Sequence, residues 1–263
     1  MPRSKQPTCS VVLATFNEAK NIGRCLEGIK DIAEEIVVVD GNSGDETVHL
    51  AKTWGARVIQ TTNKPIFHIN KQKAIDEARG KWILQLDADE VPDETLKQSI
   101  KAILNQGSAY NAFYLKRKNY FLGRWLKKGG QYPDPVIRFF KNGKASLPQK
   151  DVHEQMIVEG EVGNLAGHLR HYNAPTFGRY IENANRYTSL TAEKMYQAGV
   201  TLTLAHDLEY LVVKPTATFL NIFGRHRGYV DGFPGFVFAL FSGLHHALAY
   251  MKLGDLYRHE SSH

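Results

Sequence analysis

The chain has 263 residues, 43% of them apolar and 23% charged, which excludes a disordered or fibrous polymer and leaves room for one large domain or two small ones. Two cysteines, Cys9 and Cys25, are too few for a disulfide framework and fit a reducing compartment; no Cys-x-x-Cys spacing suggests a structural metal. The net charge of +6 is local: residues 114–150 hold ten Lys or Arg against one acid, Asp134, which leaves the remainder at 6 − 9 = −3. Such a patch faces nucleotide phosphates, an acidic acceptor or an anionic membrane, or else is a solvated loop.

The first hundred residues alternate between two periods. Ser10–Ala14 is an apolar run that reads as a buried strand, with Asn17 placed to cap the helix after it. Ile22, Cys25, Leu26 and Ile29 then share one helical face. Ile36–Val39 is a second strand, and Ser43-Gly44-Asp45-Glu46 fits a capping box. Arg57–Gln60 is a third strand, followed by a helix over Ile69–Ala78 with Gly80 as its C-terminal cap. Trp82–Leu86 is a fourth strand ending in Asp87-Ala88-Asp89-Glu90, and Asp93 caps a helix that buries Leu96, Ile100, Ile103 and Leu104. Strand–helix alternation of this kind predicts a mostly parallel sheet covered on both faces, with ligands at the carboxyl ends of the strands.

From about Tyr110 to Arg170 the character changes. Ala112–Leu115 and Val136–Phe140 read as strands around a loop rich in Gly, Lys and aromatic residues. Helices follow over Tyr180–Ala198, Leu202–Phe223 and Phe236–Leu253. The polar segment Met1–Pro7 lacks the pattern of a signal peptide, and the most apolar stretch, Phe236–Met251, is broken by His245 and His246 short of the ~18 residues of a membrane span. A cytoplasmic protein is expected. Residues 214–258 combine five Lys or Arg and two acids with dense aromatics. They are candidates for peripheral contact with an anionic membrane, for packing against the sheet, or for a homo-oligomer contact.

The chemistry centres on the strand ends. Asp87 and Asp89, two residues apart after a strand, suit a hard cation such as Mg²⁺ or Mn²⁺ completed by phosphate oxygens and water; a turn or helix cap is the alternative. Asp40 ends the second strand and can accept from a base or ribose edge, with Ser43 beside it. Thr15, Asn17 and Glu18 end the first. No Gly-x-Gly-x-x-Gly or Walker motif is present, and no motif accompanies the charge to suggest nucleic acid.

Four segments, Val12-Leu13-Ala14-Thr15-Phe16-Asn17-Glu18, Val37-Val38-Val39-Asp40-Gly41-Asn42-Ser43-Gly44-Asp45, Ala78-Arg79-Gly80 and Leu86-Asp87-Ala88-Asp89-Glu90, occur in the order and spacing of a known family. The chain resembles the family 2 inverting glycosyltransferases of GT-A fold. Phe121-Leu122-Gly123-Arg124, Tyr132-Pro133-Asp134, Ile137-Arg138-Phe139-Phe140, Val152-His153-Glu154 and Gly228-Tyr229-Val230-Asp231-Gly232 make it similar to the bacterial lipopolysaccharide core β-1,4-glucosyltransferases.

The resemblance implies an α/β catalytic domain over residues 1–172, with a nucleotide-sugar half (1–108) and an acceptor half (109–172), and a helical extension over 173–263. It implies transfer of a hexose, glucose from a UDP-sugar, to a bacterial envelope glycolipid or oligosaccharide acceptor at the cytoplasmic face of the inner membrane. Thr15, Asn17, Glu18, Asp40 and Ser43 would line the uridine pocket, Lys71 would meet phosphate, and Asp89 with Asp87 would hold Mg²⁺ or Mn²⁺. This chain carries Asn70-Lys71-Gln72 where the branch often has Gln-Lys-Asn, and Gln131 where a bulky aromatic is common. An inverting transfer needs a base. The family's usual Glu-Asp pair is absent, and Glu154, in the branch's His-Glu position, is the first candidate, with Asp151 and Asp134 as rivals. Asp134 has the alternative of pairing with Arg138 to order the loop. Arg124, Lys127 and Lys128 can face the diphosphate, meet a phosphorylated acceptor, or simply be solvated. A non-catalytic module of the same fold that binds an anionic glycan or membrane, and a nucleotidyltransferase, remain the other readings.

Overall fold

The computed structural model describes residues 6–64, 66–148 and 155–260. The chain divides into two compact units, residues 1–117 with 134–171, and residues 118–133 with 172–263.

The first unit begins with β1 (Cys9–Thr15), α1 (Ala19–Ile29), β2 (Glu35–Asp40), α2 (Thr47–Thr53), β3 (Arg57–Gln60), α3 (His68–Asp76) and β4 (Trp82–Leu86). Then come β5 (Glu90–Pro92), α4 (Glu94–Gln106), β6 (Ala112–Phe121) and β8 (Asp134–Lys141), while β7 (Arg124–Trp125), between β6 and β8 in the chain, belongs to the second unit. A small antiparallel pair, β9 (Ala145–Ser146) and β10 (Ile157–Val158), precedes β11 (Val162–Ala174). The main sheet runs β3-β2-β1-β4-β8-β6-β11-β5, with β7 on β6. Its first four strands are parallel, while β8 joins β4, and β5 joins β11, in antiparallel sense.

The expected apolar runs are the centre of this sheet. Val11–Leu13, Val37–Val39 and Ile83–Leu84 are fully buried, as strands covered on both faces must be. Ile22, Cys25, Leu26 and Ile29 all point from α1 into the core, each such side chain contributing about 1.5–3 kcal/mol when buried. Trp82 stacks on Phe139 across the β4–β8 pair, which ties the two halves of the sheet together.

Three local expectations give way to longer-range bonds. Asn17 does not cap α1; it takes a left-handed conformation (φ 55°), and its Oδ1 accepts from Gly44 N at 2.9 Å. Ser43 forms no capping box; α2 starts at Thr47, whose N–H donates to Asp45 Oδ1 at 3.0 Å. Gly80 lies beyond the end of α3 and is no cap: a Cβ there would sit 2.6 Å from Ser10 N and Oγ, because Gly80 N–H donates to that hydroxyl at 2.8 Å. Asp93 does cap α4, accepting from Leu96 N at 3.0 Å.

The second unit contains α5 (Phe177–Gln197), α6 (Leu204–Leu208), α7 (Lys214–Phe219) and α8 (Gly232–Glu260). A wider π-helical turn at Glu209–Val213 joins α6 to α7 and a second at Leu220–Arg225 continues α7, making one long rod, and a 3₁₀ turn at Gly228–Asp231 leads into α8. Ala192 and Met195 of α5 pack on Ala249, Tyr250 and Leu253 of α8. Lys252 fastens the same seam through Asn185, Thr188 and Ser189 oxygens. The basic loop after β7 is pinned by a buried carboxylate: Asp231 accepts from Lys127 N at 3.1 Å and Lys128 N at 2.8 Å. The helix through Gly228–Arg258 is long and apolar enough to cross a membrane by length and composition, contrary to the expectation from Phe236–Met251. Its polar residues are partnered within the unit: His245 with Thr191 and His246 with Thr218, besides Lys252.

Gly80→Ala forces a methyl against backbone that cannot yield. We expect a loss of about 1–3 kcal/mol, as in other overpacked sites, read as a lowered urea midpoint; an unchanged midpoint contradicts the close approach.

Candidate functional site

Register brings three strand ends to one rim. Thr15 of β1 pairs with Asp40 of β2, and Leu13 with Leu86 of β4, so Asp40 and Asp87 flank the end of β1. Asp40 is fully buried, and its carboxylate is held by three donors: Thr15 Oγ1 at 2.8 Å, Ser43 N at 2.8 Å and Ser43 Oγ at 2.6 Å. A carboxylate offers about four acceptor positions, and these donors fill three of them. Ser43 Oγ in turn accepts from Asn17 N at 2.8 Å. Glu18 N donates to Thr47 Oγ1 at 2.8 Å, and Glu18 Oε2 accepts from Asn21 at 2.7 Å. The loops after β1 and β2 therefore form one interlocked frame. Gly41 packs closely within it: a Cβ there would meet Asn63 Cα at 3.1 Å and Thr15 O at 3.3 Å.

The second part of the rim is a charge cluster. Lys71, buried on α3, places Nζ 2.5 Å from Asp87 Oδ1. Arg138, buried on β8, places Nη2 2.8 Å from Asp87 Oδ2 and 3.2 Å from Glu90 Oε1. The β4–β8 register continues to set Arg138 opposite Gln85, whose side-chain oxygen accepts from it. Glu90, itself fully buried, also accepts from Asp87 N at 2.9 Å and lies 3.4 Å from Arg117 Nη1.

Burial raises the Asp87 carboxyl, but the Lys71 and Arg138 charges outweigh it and hold the group well below the usual carboxylate range. Burial pulls the Lys71 ammonium below its ordinary value, and Asp87 works against that. Burial likewise opposes the charge on Arg138, but Glu90 and Asp87 more than compensate and raise it. Two buried atoms beside these charges, Arg138 Nε and His68 Nδ1, have no protein partner among the described residues; burial, and then the Lys71 charge, lower His68.

Asp89 points elsewhere. Its Oδ2 lies 3.5 Å from His171 Nε2, brought there because His171 pairs with Glu90 in the β11–β5 ladder. Asp134, expected as a base or as a partner of Arg138, instead takes Arg117 Nε at 2.8 Å. At the two positions where the motif is swapped, Asn70 holds the Thr62 carbonyl at 3.1 Å, and Gln72 accepts from Leu147 N at 2.7 Å. Asp151, His153 and Glu154 lie outside the described residues. In the second unit, Arg124 donates to the Val230 carbonyl at 3.3 Å, and Lys127 Nζ rests 5.1 Å above the Trp125 ring. Cys25 is no nucleophile: burial, followed by Glu90 and its neighbouring carboxylates, raises its thiol well above the ordinary value.

Sequence reasoning missed Gln85, Glu90, Arg117 and His171 as site residues and considered Arg138 only within a motif and as a loop-ordering partner of Asp134. A charge inside the apolar run Ile137–Phe140 was the signal for Arg138. His171 carried none, since only the antiparallel return of β11 brings it to Asp89.

Residues 10–156 match the glycosyl transferase family 2 description. The chain belongs to that family, is a glycosyltransferase and has the GT-A fold. It is 28% identical to a glycosyltransferase of Rickettsia prowazekii, RP128, over 94% of this chain and 87% of the relative. It is 27% identical to the lipopolysaccharide core biosynthesis glycosyltransferase LpsC of Rhizobium meliloti, over 93% and 91% respectively. Among solved structures it overlays glucosyl-3-phosphoglycerate synthase of Mycobacterium tuberculosis at 16% identity and TM-score 0.46, over 75% of this chain and 82% of that one. Family membership sets aside the nucleotidyltransferase and the non-catalytic module.

The charge cluster has a pH signature. An unfolded Asp titrates near 3.9, so the stabilisation from the depressed Asp87 is complete above that value and is lost as pH falls below it. Arg138→Met removes the one cation that Asp87 and Glu90 share and should cost about 3–5 kcal/mol near pH 7. In urea titrations the difference from the wild type should shrink as the pH is lowered toward 3; a pH-independent difference contradicts the assigned pairing.

Proposed function

We propose that this glycosyltransferase is an inverting enzyme that moves a hexose, glucose from a UDP-sugar, to a bacterial envelope glycolipid of the lipopolysaccharide core kind. The observation that carries the donor half is the split rim. Asp40, a carboxylate held by three donors at the end of β2, shares this rim with two buried cations, Lys71 and Arg138, which suits a nucleoside next to a diphosphate. The likeness to LpsC over nearly the full length supports the acceptor class. An acceptor of that kind has the enzyme working at the cytoplasmic face of the inner membrane.

In this reading the remaining acceptor position of Asp40 takes a hydrogen bond from the uracil or ribose, and the frame of Thr15, Asn17, Glu18 and Ser43 fixes its direction. Lys71 and Arg138 stabilise the charge that grows on the departing diphosphate. Asp87 is a positioning residue that keeps both cations in place. Among the described residues no group of three His, Cys, Asp or Glu side chains forms a metal cage. Asp89 nevertheless supplies a carboxylate of the kind that would hold Mg²⁺ or Mn²⁺ with phosphate oxygens and water completing the shell, and His171 lies beside it at 3.5 Å. Such an ion would neutralise the leaving phosphates. This assigns the metal to Asp89 and leaves Asp87 to the cations.

The chemical step forms a bond between the acceptor oxygen and the anomeric carbon while the bond from that carbon to the phosphate oxygen breaks on the opposite face. The hydroxyl proton passes to a carboxylate, and Glu154 is assigned that role, with Asp151 and Asp134 as the alternatives to test. Asp134 is the weakest of the three because Arg117 already engages it.

Glu154→Gln should keep UDP affinity while the transfer rate drops by about 10²–10⁴-fold, measured with UDP-glucose and deacylated core oligosaccharide; near-normal turnover moves the base to Asp151 or Asp134. Asp89→Asn should abolish the Mn²⁺ dependence of UDP affinity in calorimetry, and unchanged dependence refutes the assignment.

A further inference from the structure

The exposed apolar surface of this protein is uneven. Of the large apolar side chains exposed among the described residues, all but Phe16, Tyr110, Tyr114 and Ile157 belong to the second unit. The rod from Leu204 to Arg225 is the extreme case, for none of its residues is buried. Leu204 is 84% exposed, Leu208 58% and Val212 53%, so these side chains face away from the unit's own core. Leu220 is 59% exposed, and Phe233, at the start of α8, is 72% exposed. Large exposed apolar surface marks an interaction site when it gathers in one patch.

Charge indicates what covers it. Between Tyr210 and Gly254 the one acidic residue is Asp231, which is buried and engaged by the Lys127 and Lys128 backbone. Lys214, Arg225 and Arg227 stand in the same stretch, and no charge at all falls between Lys214 and Arg225. Arg225 and Arg227 are exposed. The rod's own acids sit at its start and are engaged, Asp207 by the Tyr250 hydroxyl at 2.8 Å and Glu209 by Lys214 at 2.8 Å; beyond them, from Pro215 to Phe233, an apolar surface with two exposed arginines and no exposed acid is complementary to a surface with an apolar interior and anionic headgroups.

We propose that the rod 204–225 and the following turn to Phe233 form a membrane-docking element that inserts its apolar side chains at the surface of an anionic lipid bilayer, with Arg225 and Arg227 on the headgroups. The element deepens the glycolipid-acceptor reading by supplying the contact with the acceptor's bilayer, yet lipid binding itself does not depend on the identity of donor or acceptor.

The test is flotation of the full-length protein with vesicles of phosphatidylcholine alone or mixed with phosphatidylglycerol. Wild type should float with the mixed vesicles and weakly or not at all with phosphatidylcholine. Its binding should fall as salt rises from ~0.1 to ~1 M and the screening length shrinks from about 10 to about 3 Å. The double variant Arg225→Gln/Arg227→Asn should bind roughly tenfold less or weaker, as expected for the loss of two headgroup contacts. The variant Leu208→Ser/Leu220→Ser/Phe233→Ser should not float, and UDP binding and thermal unfolding should report that its fold is kept. Binding that is unchanged in both variants overturns the proposal. So does absence of wild-type binding, together with a concentration-dependent dimer in sedimentation that the apolar variant dissociates, which would make the face a contact between two copies. Failure of UDP binding in the wild type with lipid binding intact would instead refute the donor reading alone.

Discussion

The Asp87 carboxylate, held between the Lys71 ammonium and the Arg138 guanidinium, is the constraint on which the rest of the site depends. Lys71, Arg138 and Glu90 are buried, where desolvation is costly, and removal of one partner leaves the others uncompensated. Each comes from a different element: Asp87 from the end of β4, Lys71 from α3, Arg138 from β8 and Glu90 from β5. The cluster therefore fixes the α3 helix and the antiparallel half of the sheet against the parallel half. It also leaves two cations ordered at the place where a nucleotide-binding sheet presents its ligands.

This arrangement divides the labour between two carboxylates that the sequence presents as a pair. Asp87 is occupied on both oxygens, whereas Asp89, two residues on, turns to His171. In the proposed mechanism the cations and the metal then act on the same diphosphate from separate supports. Neither support has to move when the donor enters, which is the preorganisation that electrostatic catalysis requires. The Asp40 pocket is built on the same logic, with three fixed donors on one carboxylate and the Asn17–Gly44 bond closing the frame.

Much of this was legible in the sequence. The apolar runs at Val11, Val37 and Ile83 and the face Ile22–Ile29 lie where a buried parallel sheet with a flanking helix requires them, and Asp40, Asp87 and Asp89 fall at strand ends. What stayed hidden is long-range. Glu90–Pro92 is too short to show a period and becomes a strand because β11 returns beside it. His171 is placed by that same return. Ser43 and Asn17 carried local helix-start signals, but Asp40 and Gly44 offered their side chains better-placed partners than the helix ends did. Short polar side chains are prone to such competition. Gly80 read as a helix stop, while its true reason is Ser10, seventy residues earlier in the chain.

The most direct test of the account is anomalous diffraction from crystals of the protein with UDP and Mn²⁺, recorded at the manganese edge. The account predicts one manganese peak beside Asp89 and His171, with UDP phosphate oxygens on the ion, the base or ribose against Asp40, and Asp87 still bound to Lys71 and Arg138. A manganese ion bridging Asp87 and Asp89 with Arg138 displaced, or UDP bound away from the ends of β1, β2 and β4, would contradict it.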